Sequence, residues 1–259
     1  MSATQATPWP APITRLSRVD STSSRLLAMA REGAPEWSVV VADSQTHGRG
    51  RFGRAWESPP GNLFLSVLLR EAWRPEIPDT LVPLAAGLGV ARALPKGACV
   101  RLKWPNDLMV GDRKLGGILV EGLVCSGRLE ALVIGIGVNL ELDHRSLPEA
   151  LRGRVISVAE ATRAAPDREE LEARILRQLR AVLEPPRRPE RLLAEWRERS
   201  VAWWGRRVRV ECCGETVEGI AEDLDSSGGL VLALDGGGRR VVLSGEASQS
   251  RPAAAPEVS

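Results

Sequence analysis

CVRLKWPNDLMVGDRKLGGILVEGLVCSGRLEALVIGIGV, residues 99–138, is the stretch whose reading decides the fold. It reads as a β-meander. Strands run from Cys99 to Trp104, Asp107 to Val110, Lys114 to Cys125 and Leu129 to Val138, with turns at Gly111-Asp112 and Ser126-Gly127. Working outward, Asn62 to Leu69 and Trp37 to Ala42 are apolar, β-rich runs of buried-strand type, and Ile13 to Val19 alternates more loosely. Asp20-Ser21-Thr22 offers capping side chains to a helix that carries Leu26, Leu27, Met29 and Ala30 and ends at Gly33. Leu81 to Leu94 is small and apolar, which suits a helix packed tightly on a sheet.

Downstream, Leu171, Ile175, Leu179 and Val182/Leu183 form one stripe on a charged helix from Asp167 to Leu183. A second amphipathic helix runs from Pro189 to Ser200 after the Pro185-Pro186 break. Residues 204–250 change texture, with short strands at 208–211, 216–223, 230–234 and 240–243 separated by Gly-containing turns. That spacing predicts a small β-barrel, too small for much core of its own and so docked on the larger domain. The expected organisation is a disordered lead-in over 1–12, a first domain over 13–203, the barrel over 204–250 and a disordered tail over 251–259. The fold class is α+β, a central mixed or antiparallel sheet with helices plus the C-terminal barrel.

Bulk composition excludes several classes. Among 259 residues, 35 basic and 33 acidic side chains leave a net charge of only +2, unlike a dedicated nucleic-acid binder. The 4 cysteines, Cys99, Cys125, Cys212 and Cys213, have neither zinc-site spacing nor a disulfide framework and read as reduced thiols of a cytoplasmic protein. No apolar run reaches the length of a membrane span, and the first twelve residues lack a signal peptide's basic start and apolar run.

Four constellations carry chemistry. Gly48-Arg49-Gly50-Arg51-Phe52-Gly53-Arg54-Ala55-Trp56 sits in a polar, Gly-rich stretch from Asp43 to Gly61. Glycine lets backbone approach a ligand, and arginine presents a fork of donors to phosphate or carboxylate. The loop reads as a solvated basic segment, an RNA-binding segment or a nucleotide-phosphate clamp, and no P-loop pattern occurs in the chain. Lys103-Trp104-Pro105-Asn106-Asp107 places an ammonium and a carboxylate together at a strand end. Lys114-Leu115-Gly116-Gly117 opens an apolar strand with glycines, which mark either a close ligand or a β-bulge. Gly135-Ile136-Gly137-Val138-Asn139 is a Gly-rich strand ending in an amide, the residue type of a turn more often than of a ligand.

The order and spacing of these motifs, with Val19-Asp20-Ser21-Thr22 before them and Ser244-Gly245-Glu246-Ala247-Ser248 after, closely resemble the biotin protein ligases. The resemblance spans residues 13–250 and implies a class II synthetase-like catalytic domain with an SH3-like C-terminal barrel. It implies that biotin and ATP, with Mg²⁺, form biotinyl-5′-adenylate, and that the biotinyl group passes to one lysine of a biotin carboxyl carrier domain of an acyl-CoA carboxylase. Arg49, Arg51, Lys103, Asp107 and Lys114 would carry catalysis. Ser21, Thr22, Gln45, Gly48, Arg49, Arg51, Lys114 and Gly117 would hold biotin. Arg51, Arg54, Trp56, Asn106, Lys114 and Asn139 would hold ATP and the adenylate, and Asp107 would be a weak metal ligand completed by phosphate oxygens.

The chain departs from the family pattern at Ser23, where Asn is common, and at His47, where a small residue is common and the imidazole is expected to point away from biotin. About a dozen residues precede the first strand, too few for the winged helix-turn-helix of the repressor members, so no DNA partner is expected. A monomer or homodimer is expected. The enzyme alternative is a lipoate or octanoyl transferase, whose Arg-Arg-x-x-Gly-Gly-Gly signature is missing. The alternative from another class is an RNA-binding protein using the Arg loop.

Overall fold

A computed structural model describes residues 12–70, 78–184, 188–212 and 214–249. The expected lead-in and tail, the Pro185-Pro186 break and Cys213 lie outside these residues. The chain forms β1 (Ile13–Val19), α1 (Thr22–Arg31), β2 (Val39–Gln45), β3 (Leu63–Arg70) and α2 (Val82–Ala93). The meander follows as β4 (Arg101–Lys103), β5 (Asp107–Val110), β6 (Arg113–Cys125) and β7 (Arg128–Val138). Then come α3 (Val158–Thr162), α4 (Arg168–Leu183) and α5 (Pro189–Arg199), and the C-terminal strands β8 (Arg207–Cys212), β9 (Glu215–Leu224), β10 (Leu230–Ala233), β11 (Arg239–Val242) and β12 (Glu246–Gln249).

Seven strands form one sheet in the order β1-β2-β3-β7-β6-β5-β4, parallel only between β1 and β2, so the sheet is mixed. The meander supplies four of its seven strands. Strand alternation then divides the side chains by face. On β7, Leu132, Ile134, Ile136 and Val138 join the large core under α2, α4 and α5, while Ala131 and Val133 meet α1 on the opposite face. Beyond α1's reach, that second face continues as Gly135 and Gly137, and here the sheet is lined by backbone. Ser21 caps α1 by accepting from Ser24 N, as the sequence suggests, and Asp167 caps α4 by accepting from Glu170 N.

Several boundaries differ from expectation for local reasons. Trp37 and Cys99 have φ of 62° and 50°, left-handed values that hold them outside β2 and β4. The capped α3 is too short for a periodic signature, and its Ser157–Glu160 capping box was not read in advance. The long stretch after β2 has its own order, a small hairpin in which Arg49 bridges Ala55 and Gly50 N donates to Arg54 O.

The C-terminal strands form the expected small antiparallel β-domain, a five-stranded sheet in the order β11-β10-β9-β8-β12, with no ladder joining β11 to β12 among the described residues. β12 was read only as a motif. This sheet shares the main core, with Val208, Val210, Ala221 and Leu230 packed into it, and buried Trp104 Nε1 donates to Gly228 O across the junction. No helix among the described residues is long and apolar enough to cross a membrane.

Helix α2 carries Gly89 where α4 crosses it, and a Cβ there would lie 3.1 Å from Val182 Cγ2 and 3.3 Å from Leu179 N. Gly89→Val is therefore expected to force the two helices apart and lower stability by about 1–3 kcal/mol. Urea unfolding followed by far-UV circular dichroism measures it, and an unchanged midpoint would show that the crossing yields without cost.

Candidate active site

The glycine-lined part of the sheet is the floor of a cavity of about 790 Å³. Its position follows from register. Lys103 pairs with Asp107, Asp107 with Gly117, Gly117 with Gly137 and Gly137 with Phe64, so these residues share one row and one face. A register shift between Leu108 and Met109 leaves Leu115 as an extra residue on β6. Leu115 and Ile118, three apart, therefore both enter the main core, and Lys114 is turned onto the cavity face. The glycines at 116–117 thus mark both a bulge and a site.

Every residue given a binding or catalytic role from the sequence lines this cavity except Gly48. Gly48 stands behind the wall, where a Cβ would come within 2.5 Å of Ser58 Oγ and Trp56 O. His47 is exposed and does not line the cavity. Lys103 and Asp107 are neighbours in the ladder, but the carboxylate's ion pair is with Lys114: Nζ lies 2.6 Å from Asp107 Oδ1. Lys103 and Asp107 thus stand side by side at the strand end as expected, and the ion pair with Lys114 is added to that arrangement. The bulge is the reason, because it brings the more distant lysine onto the same face.

At one end the lining is neutral and polar. Ser23 Oγ and Ser66 Oγ are 3.0 Å apart, Ser66 Oγ donates to Thr22 Oγ1 at 2.8 Å, and Thr22 N and Oγ1 both donate to Gln45 Oε1. Gln45 Nε2 donates to Ser58 Oγ, which donates to Trp56 O. The chain of hydroxyls fixes the orientation of the Gln45 amide, and buried networks of this kind hold a single geometry. Ser23 explains Gly135, since a Cβ there would sit 2.5 Å from Ser23 Oγ.

The other end is charged. Arg49, Arg51, Arg54, Lys103, Lys114 and Arg154 face the cavity, against Glu57, Asp107, Asp112 and Glu246. The loop guanidiniums are anchored on protein. Arg51 donates to Gly245 O at 2.9 Å and Ser244 Oγ at 2.7 Å, and Arg54 pairs with Glu246 at 2.6 Å. Burial pulls the Arg51 guanidinium below its ordinary pKa against the opposing charge of Asp107, with Arg54 adding to the fall. Burial raises the Glu246 carboxyl, but the Arg54 hydrogen bond and the charges of Arg54, Lys103 and Lys114 outweigh it and hold it below the ordinary carboxylate value. Arg49 donates to both oxygens of Glu121 and to Ser24 Oγ.

Trp56 lies on the floor itself. A Cβ at Gly137 would come within 2.7 Å of its Cε2 and Nε1, and one at Gly117 within 3.3 Å of its Cζ3. Lys114 Nζ stands 5.2 Å from the ring centroid. Asn106 Nδ2 donates to Ile118 O, and Asn139 Nδ2 to Ile156 O and Lys114 O, so both amides brace the strands around Lys114. Asn139 is therefore a backbone brace as well as a cavity residue. Arg154, Ser23, Glu246 and Ser248 also line the cavity and had no assigned role. Arg154 has no distinguishing pattern in an Arg-rich chain. The Gly-Glu motif that contains Glu246 had been recognised, but its placement against the Arg loop depends on the domain junction.

Residues 16–139 match the Biotin/lipoate A/B protein ligase family, and residues 204–248 match the Biotin protein ligase C terminal domain. The chain is 37% identical over 238 residues to the biotin--[acetyl-CoA-carboxylase] ligase of Mycobacterium tuberculosis, covering 88% of this chain and 85% of that one. This chain belongs to the biotin protein ligase family. The bifunctional ligase/repressor BirA of Escherichia coli is 36% identical over 223 residues, 84% of this chain and 68% of that protein. Among solved structures, the biotin protein ligase from Aquifex aeolicus in complex with biotin and ATP superposes with a TM-score of 0.77 at 29% identity, covering 93% of this chain and 99% of that one. The C-terminal match separates the biotin protein ligases from the lipoate branch of the wider family.

Gly137→Ala is expected to lift Trp56 from the floor and loosen the hairpin. Phe52 at its tip is 61% exposed, so limited chymotrypsin digestion should cut after Phe52 about ten-fold faster than in the parent. Unchanged cleavage there would mean that the indole does not hold the hairpin down.

Proposed function

We infer that this protein activates biotin with ATP and transfers the biotinyl group to a lysine of a biotin carboxyl carrier domain of an acyl-CoA carboxylase. The observation that carries this is the joining, in one cavity, of an oriented neutral polar end to a cluster of fixed cations. Residues 13–203 act as the catalytic domain, and residues 204–250 complete its wall through Glu246 and Ser248. The RNA-binding alternative gives way to the family match over both parts of the chain.

Biotin's ureido ring is neutral and takes fixed hydrogen bonds in a largely apolar setting. The Ser21–Thr22–Gln45 corner offers these, with backbone at Gly117 against the bicyclic ring and chain, while Gly48 stays behind the wall. The carboxylate then lies toward Lys114. The apolar patch of Leu142, Leu147, Leu151 and Val155 suits the face of adenine, between Trp56 and Asn139. In the first step a carboxylate oxygen attacks the α-phosphorus and pyrophosphate leaves. Two anions approach each other there, so positive charge fixed in advance lowers the barrier. Lys114 bridges the carboxylate and the α-phosphate, Asp107 orients Lys114, and Arg51, Arg54 and Lys103 face the phosphates. In the second step the carrier lysine's amine attacks the biotinyl carbonyl and AMP leaves. The loop that carries Arg49 and Trp56 keeps water from the anhydride between the steps.

No group of three or more His, Cys, Asp or Glu able to hold a metal exists among the described residues. The donor set suits Mg²⁺ brought on the phosphates, with Asp107 as a protein oxygen near it, the usual manner for that ion. Bound there, Mg²⁺ would neutralise phosphate charge. Our reading places the activity in the cytoplasm, where a carboxylase carrier and ATP meet, and gives it no DNA partner.

Purified protein with ATP, Mg²⁺, biotin and a carrier domain should add one biotinyl group to the carrier by mass. A folded protein that leaves the carrier unmodified sinks the proposal. Lys114→Ala should cut adenylate formation by about 100-fold or more. Arg51→Ala should shorten adenylate retention more than it slows synthesis. Wild-type formation and retention in both variants would overturn these roles.

A further inference from the structure

We propose that Glu121 on β6 is a positioning residue of the ligase, whose grip on Arg49 holds the 48–56 hairpin shut over the adenylate and keeps water from the anhydride. The proposal rests on the adenylate-forming reading above.

Three observations carry it. The first is the pattern along β6. On the cavity face the residues run Gly117, Leu119, Glu121 and Leu123, where Gly117 and Leu119 line the cavity and Leu123 joins the core beneath α1. Glu121 pairs in the ladder with buried Val133. A carboxylate thus occupies a place in the alternation that an apolar residue would otherwise fill, at the rim where α1 stops covering the sheet.

The second is geometry. Arg49 Nη2 donates to Glu121 Oε1 at 2.9 Å and Oε2 at 2.8 Å, and Nη1 donates to Ser24 Oγ at 2.5 Å. One guanidinium therefore ties the hairpin to both the sheet and α1. Glu121 and Ser24 lie outside the cavity lining. An exposed ion pair alone contributes little. Here a planar fork engages three oxygens on two elements, which fixes orientation as well as distance.

The third is the place of Arg49 in the hairpin. Arg49 bridges Ala55, and Trp56 N donates to Gly48 O, so a bond at Arg49 restrains both legs of the hairpin next to the Trp56 seat. Arg51 and Arg54 fasten the same hairpin to the C-terminal sheet on the far side. The near side is held by Glu121 and Ser24.

While the hairpin is held, the biotinyl carbonyl is shielded. When it lifts, water adds to that carbonyl, the bond to the phosphate oxygen breaks, and free biotin and AMP are lost. The expected phenotype is leakage rather than failed synthesis.

The test uses the full chain with biotin, ATP and Mg²⁺ in four forms: parent, Glu121→Gln, Arg49→Gln and the double variant. Single-turnover adenylate formation and AMP release without carrier are measured side by side. Glu121→Gln should form adenylate within about two-fold of the parent and release AMP about five-fold faster. The double variant should leak no faster than Arg49→Gln alone, because that change already removes the Arg49–Glu121 contact. Chymotrypsin cleavage after Phe52, without substrates, should rise in Glu121→Gln. An unchanged leak in Glu121→Gln, or additive leaks in the double variant, overturns the proposal. If the parent forms no adenylate, the functional reading itself has failed. The pair is then judged by proteolysis alone, and unchanged cleavage after Phe52 overturns it.

Discussion

A single row of residues running across seven strands is the constraint on which the rest of the molecule depends. Leu16, Ala42, Phe64, Gly137, Gly117, Asp107 and Lys103 are successive ladder partners from one edge of the main sheet to the other. A slip of one residue in any strand would exchange its core side chains for its site side chains. The same alternation that buries Ile134, Ile136 and Val138 therefore presents Gly135 and Gly137 as a bare floor. The bulge at Leu115 interrupts that alternation beside the site, and it is local: it turns Lys114 toward Asp107 while Ile118 stays in the core. Packing and chemistry are specified by the same register.

On that floor the protein separates two kinds of recognition. The hydroxyl chain from Ser23 to Gln45 is neutral, internally satisfied and rigid, as suits a ring recognised by shape and a few hydrogen bonds. A short distance away, cations are held by the protein's own oxygens: Lys114 by Asp107, Arg54 by Glu246, and Arg51 by Ser244 and Gly245. Pairing avoids the large cost of isolated charges in a partly enclosed space and keeps the donors aimed. On the proposed reading, a ligand anion would exchange one set of oxygens for another with little reordering of the side chains.

Much of this was legible in the sequence where the pattern is local. The four meander strands, the two clear amphipathic helices and the cap at Ser21 follow from alternation, helical spacing and capping chemistry. The candidate site was legible because its motifs come in order, each at a strand end or Gly-rich turn that the fold then gathers. What could not be read depended on contacts distant in sequence. The Asp107–Lys114 pair needs a bulge that two glycines suggest without fixing its direction. The bonds from Arg51 to Ser244 and Gly245 join segments nearly two hundred residues apart. A short helix such as α3 has too few residues to show a period, and β12 hid within a recognised motif.

The hairpin's attachment to the C-terminal sheet gives that sheet a thermodynamic part in turnover. Arg51 and Arg54 are bonded to residues 244–246, which sit at the start of β12, and the same sheet is packed on the main core. The two equilibria, hairpin opening and C-terminal docking, therefore share bonds and are linked. Whatever tightens one tightens the other by the same free energy. If the hairpin opens as proposed, the small C-terminal sheet would act as a counterweight to it, setting how often the main cavity exchanges its contents with solvent.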